Sequence, residues 1–141
     1  MSQPILIVLD TNVLVSGLLK RSSLPGQILD LILSGAIQII VDERILEEYR
    51  LVLVRPRLNI PSLEIQHILL FLSATSLRVS AHPLDLKHKD FPDPKDLPFA
   101  EVAVAGTVQA LVTGNSKHFL YLNNLGVEVL SPAEFMEHNA K

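Results

Sequence analysis

The chain has 141 residues, 48% of them hydrophobic and 19% charged, with a mean hydropathy of +0.34. Against a usual charged fraction of about 25%, this is too apolar for a disordered segment, and the length predicts one domain over residues 1–141 around a single core. Twelve Lys and Arg against fifteen Asp and Glu leave a formal charge of −3, which speaks against a dedicated duplex-DNA binder and confines any nucleic-acid contact to a local patch or to metal ions.

The run Ile5–Leu9 is continuously apolar and of strand length, as suits a strand buried on both faces of a parallel sheet. Asp10, Thr11 and Asn12 end it with residues that can cap a helix, and Val13–Leu19 reads as that helix. Leu24–Leu33 predicts a second helix, stopped near Gly35, and Ile37–Val41 a second buried strand. Asp42 caps a helix to about Val54, which ends before Pro56. Pro61–Leu72 predicts a helix, and Ser76–Ser80 an edge strand with Leu77 and Val79 facing one way. His82–Lys95 carries three prolines and reads as an irregular loop.

Asp96 then caps an apolar helix to about Gly106. Ala110–Val112 is a short strand, Ser116–Leu122 a helical turn or two, and Val127–Leu130 a last strand. Ser131 and Glu134 form a capping box for the final helix. No apolar run approaches the roughly 20 residues needed to span a bilayer, so no membrane association is expected. Met1–Pro4 lacks a basic region, so no secretory leader is expected either. The absence of cysteine excludes disulfides and thiolate zinc sites and fits a cytoplasmic setting.

Alternating strands and helices predict an α/β domain with a mainly parallel sheet. Such sheets bind ligands beyond the carboxyl ends of their strands, which directs attention to the residues that follow each strand. Asp10 follows the first, where it serves equally as helix cap or site residue. After the second, the helical wheel sets Glu47 opposite the apolar stripe and Glu48 on its flank, beside Ile45 and Val52. Glu48 reads either as a site acid or as an exposed partner of Arg44 or Arg55. Asp90, Asp93 and Asp96 cluster in the loop and at the next helix start. Thr113, Gly114 and Asn115 follow the fourth strand, with a glycine that allows backbone to approach a ligand. Carboxylates gathered from separate segments repel unless a cation neutralises them, and oxygen donors suit Mg²⁺ or Mn²⁺. An acidic chain could in this way handle a phosphate polyanion.

At these residues the chain resembles the PIN-domain nucleases, in particular the group regarded as toxins of bacterial and archaeal toxin–antitoxin pairs. The segments that carry the resemblance are Leu9–Gly17, Glu47–Leu53 with Arg55 and Pro56, Asp93–Asp96 with Phe99, and Leu111–Asn115 with Lys117–Phe119. The resemblance implies a three-layer α/β/α sandwich with a five-stranded sheet ordered 3-2-1-4-5. It implies a metal-dependent endoribonuclease using Mg²⁺ or Mn²⁺, with an RNA substrate and a cognate antitoxin protein as partners. The family's acids fall on Asp10, Glu48 and Asp96 as metal ligands, with Asn115 in the fourth catalytic position, often an Asp. Asn12, Thr113 and Asp93 are the supporting residues.

Lys20, Arg21 and Lys117 are the candidate RNA contacts, and the surplus Leu and Val suggest a homodimer or an antitoxin groove. The five histidines show no shared ligand spacing, and only His118 lies near the expected site. A phosphohydrolase with Asp10 as nucleophile would want an acid at position 12, where Asn stands. The remaining alternative is a binding module whose catalysis is weakened by Asn115.

Overall fold

The computed structural model describes residues 3–84 and 93–139. Its centre is a sheet of five parallel strands: β1 (Ile5–Leu9), β2 (Ile37–Val41), β3 (Leu77–Arg78), β4 (Ala110–Val112) and β5 (Val129–Leu130). Across the sheet they lie in the order 3-2-1-4-5, as the motifs implied. Around it are α1 (Thr11–Leu19), α2 (Leu24–Ser34), α3 (Glu43–Leu53), α4 (Ser62–Thr75), α5 (Leu97–Gly106) and α6 (Pro132–Asn139), which complete the α/β/α arrangement. None of the described helices is long and apolar enough to cross a membrane.

β1 is central because its side chains are apolar on both faces: Ile7, Val8 and Leu9 are all fully buried. Its register sets Ile5 beside Ile37 on one side and Leu9 beside Val112 on the other. The chain leaves β1 toward β2 and later returns on the opposite side as β4. The crevice between the ends of β1 and β4 is therefore the topological switch point, where open α/β sheets take their ligands. α1 packs on α2, α2 on α6, and α6 on β4 and β5. α5 lies against β1, β2 and β4 and touches α3, which packs on α4.

The expected caps form. Asp42 accepts from the N–H groups of Arg44 (3.0 Å) and Ile45 (3.2 Å). Ser131 and Glu134 bond reciprocally at 2.8 and 3.1 Å, which holds the Glu134 carboxyl below its usual range. Other expectations need correction. α4 continues to Thr75, because Leu72 is only its last buried residue and nothing in the next turn breaks a helix. β3 and β5 are two residues each, since each lies at an edge with a single neighbour. Leu77 is exposed, while Val79, on the same side, packs partly against the core. Ser116–Leu125 is a longer 3₁₀ run than a turn or two, ended by Gly126 at φ 83°. Most of the loop expected at His82–Lys95, with Asp90, lies outside the described residues.

Tyr49 joins α3 to the site end of β1. It is fully buried, its hydroxyl donates to the Leu9 carbonyl at 2.6 Å, and its ring meets that of Phe99 at 6.4 Å. Tyr49→Phe removes the donor and leaves the carbonyl unpaired. It is expected to lower stability by about 1–3 kcal/mol, read as a lower urea midpoint with an unchanged m value.

Candidate active site

A cleft of about 380 Å³ is lined by residues that follow β1 and β4, together with side chains from α3 and α5. Asp10, Asn12, Glu48, Asp93, Asp96 and Asn115 all line it. Asp10 is 8% exposed, and both its oxygens are held. One accepts from the Thr11 N–H at 2.9 Å, the other from the Thr113 hydroxyl at 2.7 Å. Burial pushes this carboxyl above the ordinary aspartate value. The Thr113 bond opposes that push, while the charges of Asp96 and Glu48 add to it.

Glu48 is half-buried, and Thr11 Oγ1 lies 3.5 Å from its Oε2, at the long end of hydrogen-bond range. Arg44 does not pair with it, bonding instead to Asp42 and to the buried Glu101 at 2.7 Å each. Glu47 faces solvent and pairs with Arg50 at 2.5 Å. The wheel therefore separated the two glutamates correctly, and the reading of Glu48 as an Arg44 or Arg55 partner is not what the described residues display.

Asp96 occupies the cap position of α5 but makes no capping bond with its side chain, which corrects the expectation. Its backbone is helical (φ −87°, ψ −17°) rather than extended as a capping residue's is, and Pro98, two residues on, lacks one of the two N–H groups that such a cap could take. The freed carboxylate lies 3.6 Å from His118 Nδ1. Burial pushes its pKa up, as do the charges of Asp93 and Glu48, while His118 works against them. Asp93 accepts from the Lys95 N–H at 2.9 Å, shaping the turn that leads to Asp96.

Thr113 is fully buried behind Asp10, and its Oγ1 also accepts from the Asn115 N–H at 3.0 Å. Asn12 accepts from the Gly114 N–H at 3.3 Å, so the turn after β4 is tied to the turn after β1. Thr113→Val keeps the shape but deprives Asp10 of a donor and Asn115 of an acceptor. It is expected to cost about 1–3 kcal/mol in thermal or urea unfolding and to raise the Asp10 pKa further.

The basic candidates fare differently. Lys20 and Arg21 lie beyond the far end of α1, about 14 Å along a nine-residue helix from Asp10. Arg21 is paired with Asp30 there. Neither lines the cleft, and Lys117 does not either, although its neighbour His118 does. Arg55, Arg57 and Lys95 line it instead. A signal for Arg55 was present: Glu48, Val52 and Arg55 stand at i, i+4 and i+7, one side of α3 carried just past its end.

As placed, no three Asp, Glu or His side chains among the described residues stand close enough to grip one ion. The donor set nonetheless fits a hard divalent cation. Three carboxylates from separate elements line one cleft, and the buried Asp10 has no basic partner among the described residues.

Comparison with known proteins covers the same residues. The chain is 30% identical, over 96% of its length and 92% of the relative's, to the uncharacterized protein MJ1680 of Methanocaldococcus jannaschii. Residues 6–117, which include all four candidate catalytic positions, match the family described as PIN domain. With most of its length matched and the strand order that its motifs implied, the chain belongs to the PIN domain family, whose members are generally metal-dependent nucleases.

Proposed function

We propose that the protein is a divalent-metal-dependent endoribonuclease and acts as the toxin of a toxin–antitoxin pair. The observation that carries the nuclease reading is Asp10, a buried carboxylate without a basic partner among the described residues, in the same cleft as Glu48 and Asp96. These three residues would hold Mg²⁺ or Mn²⁺. The chemistry such an ion supplies when bound is neutralisation of phosphate charge and activation of water near neutral pH.

The chain's own groups do the positioning. Thr113 and the Thr11 N–H fix the Asp10 carboxylate at 2.7 and 2.9 Å. Asn12 and Thr113 hold the turn that presents Asn115. Asn115 contributes hydrogen bonds and no charge, so three carboxylates favour one tightly held ion over two.

The test is cleavage of labelled single-stranded RNA by the purified chain with Mg²⁺ or Mn²⁺, against EDTA and against Asp10→Asn. Internal cuts that need metal and vanish in the variant support the reading. RNA retained without cleavage would make the protein a binding module, the alternative that Asn115 favours. The toxin role, with an antitoxin and a homodimer as partners in the cytoplasm, is supported by the motif resemblance. Growth arrest on production of the wild-type chain, absent with Asp10→Asn, is the expected result for it.

A further inference from the structure

We infer that Arg55, Arg57 and Lys95 grip the phosphodiester backbone of a single-stranded polynucleotide beside the carboxylates of the cleft. The inference rests on the nuclease reading and names the part of the site that receives the substrate. All three side chains line the cleft that holds Asp10, Glu48 and Asp96. The other four arginines are each neutralised within the chain: Arg21 by Asp30, Arg44 by Asp42 and Glu101, Arg50 by Glu47, and Arg78 by Glu43. Among the described residues Arg55 and Arg57 have no acidic partner, although Glu48 lines the same cleft. A ligand for this cleft has to answer both signs at once. A polynucleotide does so, since its phosphates meet the guanidinium forks and share the cation that the acids require. An acidic peptide offers its carboxylates to the same guanidinium groups and cation, and competition by polyglutamate tells the two apart.

The two arginines stand on a pre-set turn. Pro56 fixes the backbone between them, and the Leu58 and Asn59 N–H groups close a 3₁₀ turn onto the Arg55 and Pro56 carbonyls at 3.1 and 3.0 Å. Little backbone freedom is left to lose on binding. A cleft of about 380 Å³ has the size of a small-molecule site, room for a short stretch of one strand. Among the described lining residues Phe99 is 2% exposed and offers no face for base stacking, which leaves the exposed His118 ring. The grip of the three basic side chains is on phosphate, and such contacts position a strand without reading its bases.

The experiment is fluorescence anisotropy of labelled oligouridylate on the full chain across a salt series, in EDTA and in Mg²⁺. Asp10→Asn stands in where cleavage would interfere. The variants are Arg55→Ala/Arg57→Ala, the charge-keeping Arg55→Lys/Arg57→Lys, and Lys20→Ala/Arg21→Ala, with melting temperatures checked for each. Each lost phosphate contact lowers the slope of log Kd on log salt by about 0.7, so the double alanine variant should lose about 1.4 and bind roughly tenfold more weakly. The lysine pair should keep the slope with weaker binding, and the Lys20/Arg21 pair should behave as wild type.

Wild-type slope and affinity in the double alanine variant overturn the inference; if that variant still cuts RNA with Mg²⁺, the nuclease reading stands without it. Arginine-dependent binding without any cleavage supports the inference and removes the nuclease reading. A wild-type chain that neither binds nor cuts removes both. Displacement of RNA by polyglutamate at equal charge concentration also overturns the inference, because the cleft would then be taking any polyanion.

Discussion

Asp10→Asn is expected to abolish metal-dependent cleavage, by at least about a hundredfold, while making the metal-free protein more stable. The two effects have one cause. Burial and the charges of Asp96 and Glu48 raise the Asp10 pKa in the folded chain above its ordinary 3.8. From that value up to the higher folded one, the folded state holds more protons than the unfolded chain, so stability falls as pH rises through the window. Above the folded value the full penalty is present. Asparagine removes it and can keep the local bonds, its oxygen accepting from the Thr11 N–H and its amide donating to Thr113 Oγ1.

The melting temperature at pH 7 should rise by about 3 °C for each kcal/mol relieved, and the gain should shrink toward pH 4. Wild type should instead gain stability from Mg²⁺ or Mn²⁺, by about 2.7 kcal/mol at a hundredfold excess over Kd, and Asp10→Asn should lose that gain. A variant that melts below wild type at neutral pH in EDTA would show that Asp10 is a structural cap rather than a strained ligand.

Much of this site was legible because each acid follows a strong local signal. Asp10 ends a five-residue apolar run of the length and kind that suits a buried strand, and Glu48 sits at a defined angle on an amphipathic wheel. What escaped the sequence depended on partners distant in the chain. Glu101 looks anomalous inside an apolar helix until Arg44, 57 residues away, is seen to pair with it. Lys20 and Arg21 are close in sequence to Asp10 and on that ground alone are candidates for the cleft. A helix carries its far end away from the site, however, and the 3₁₀ turn after α3 brings Arg55 and Arg57 in its place. Asp96 shows the opposite failure, since the pattern of a cap was present but the residue's own backbone is helical and the proline at the second helical position removes one of the two donors.

The largest loss of stability is expected at Gly26. A Cβ there would stand 2.2 Å from the Arg21 carbonyl oxygen and 2.4 Å from its carbonyl carbon. Both are backbone atoms of the turn between α1 and α2, and that turn is cross-tied. The Ser23 hydroxyl donates to the Lys20 carbonyl at 2.6 Å and accepts from the Gly26 N–H at 3.2 Å. On the facing helix, a Cβ at Gly17 would meet the Pro25 carbonyl oxygen at 2.8 Å, so glycines on both sides permit the close approach. Gly26→Ala has to lift the first turn of α2 off α1 or break the corner. Overpacking against side chains costs about 1–3 kcal/mol, and against fixed backbone the cost should be about 3 kcal/mol or more, a fall in melting temperature of roughly 10 °C. Gly35→Ala is the control: it meets nothing within 4 Å and pays only for a left-handed backbone at φ 87°, about 1 kcal/mol. Asp10 lies at the other end of α1, so Gly26→Ala protein that is still folded at low temperature should cut RNA as wild type does. Equal melting of the two alanine variants would mean that the helices do not meet as closely as their glycines require.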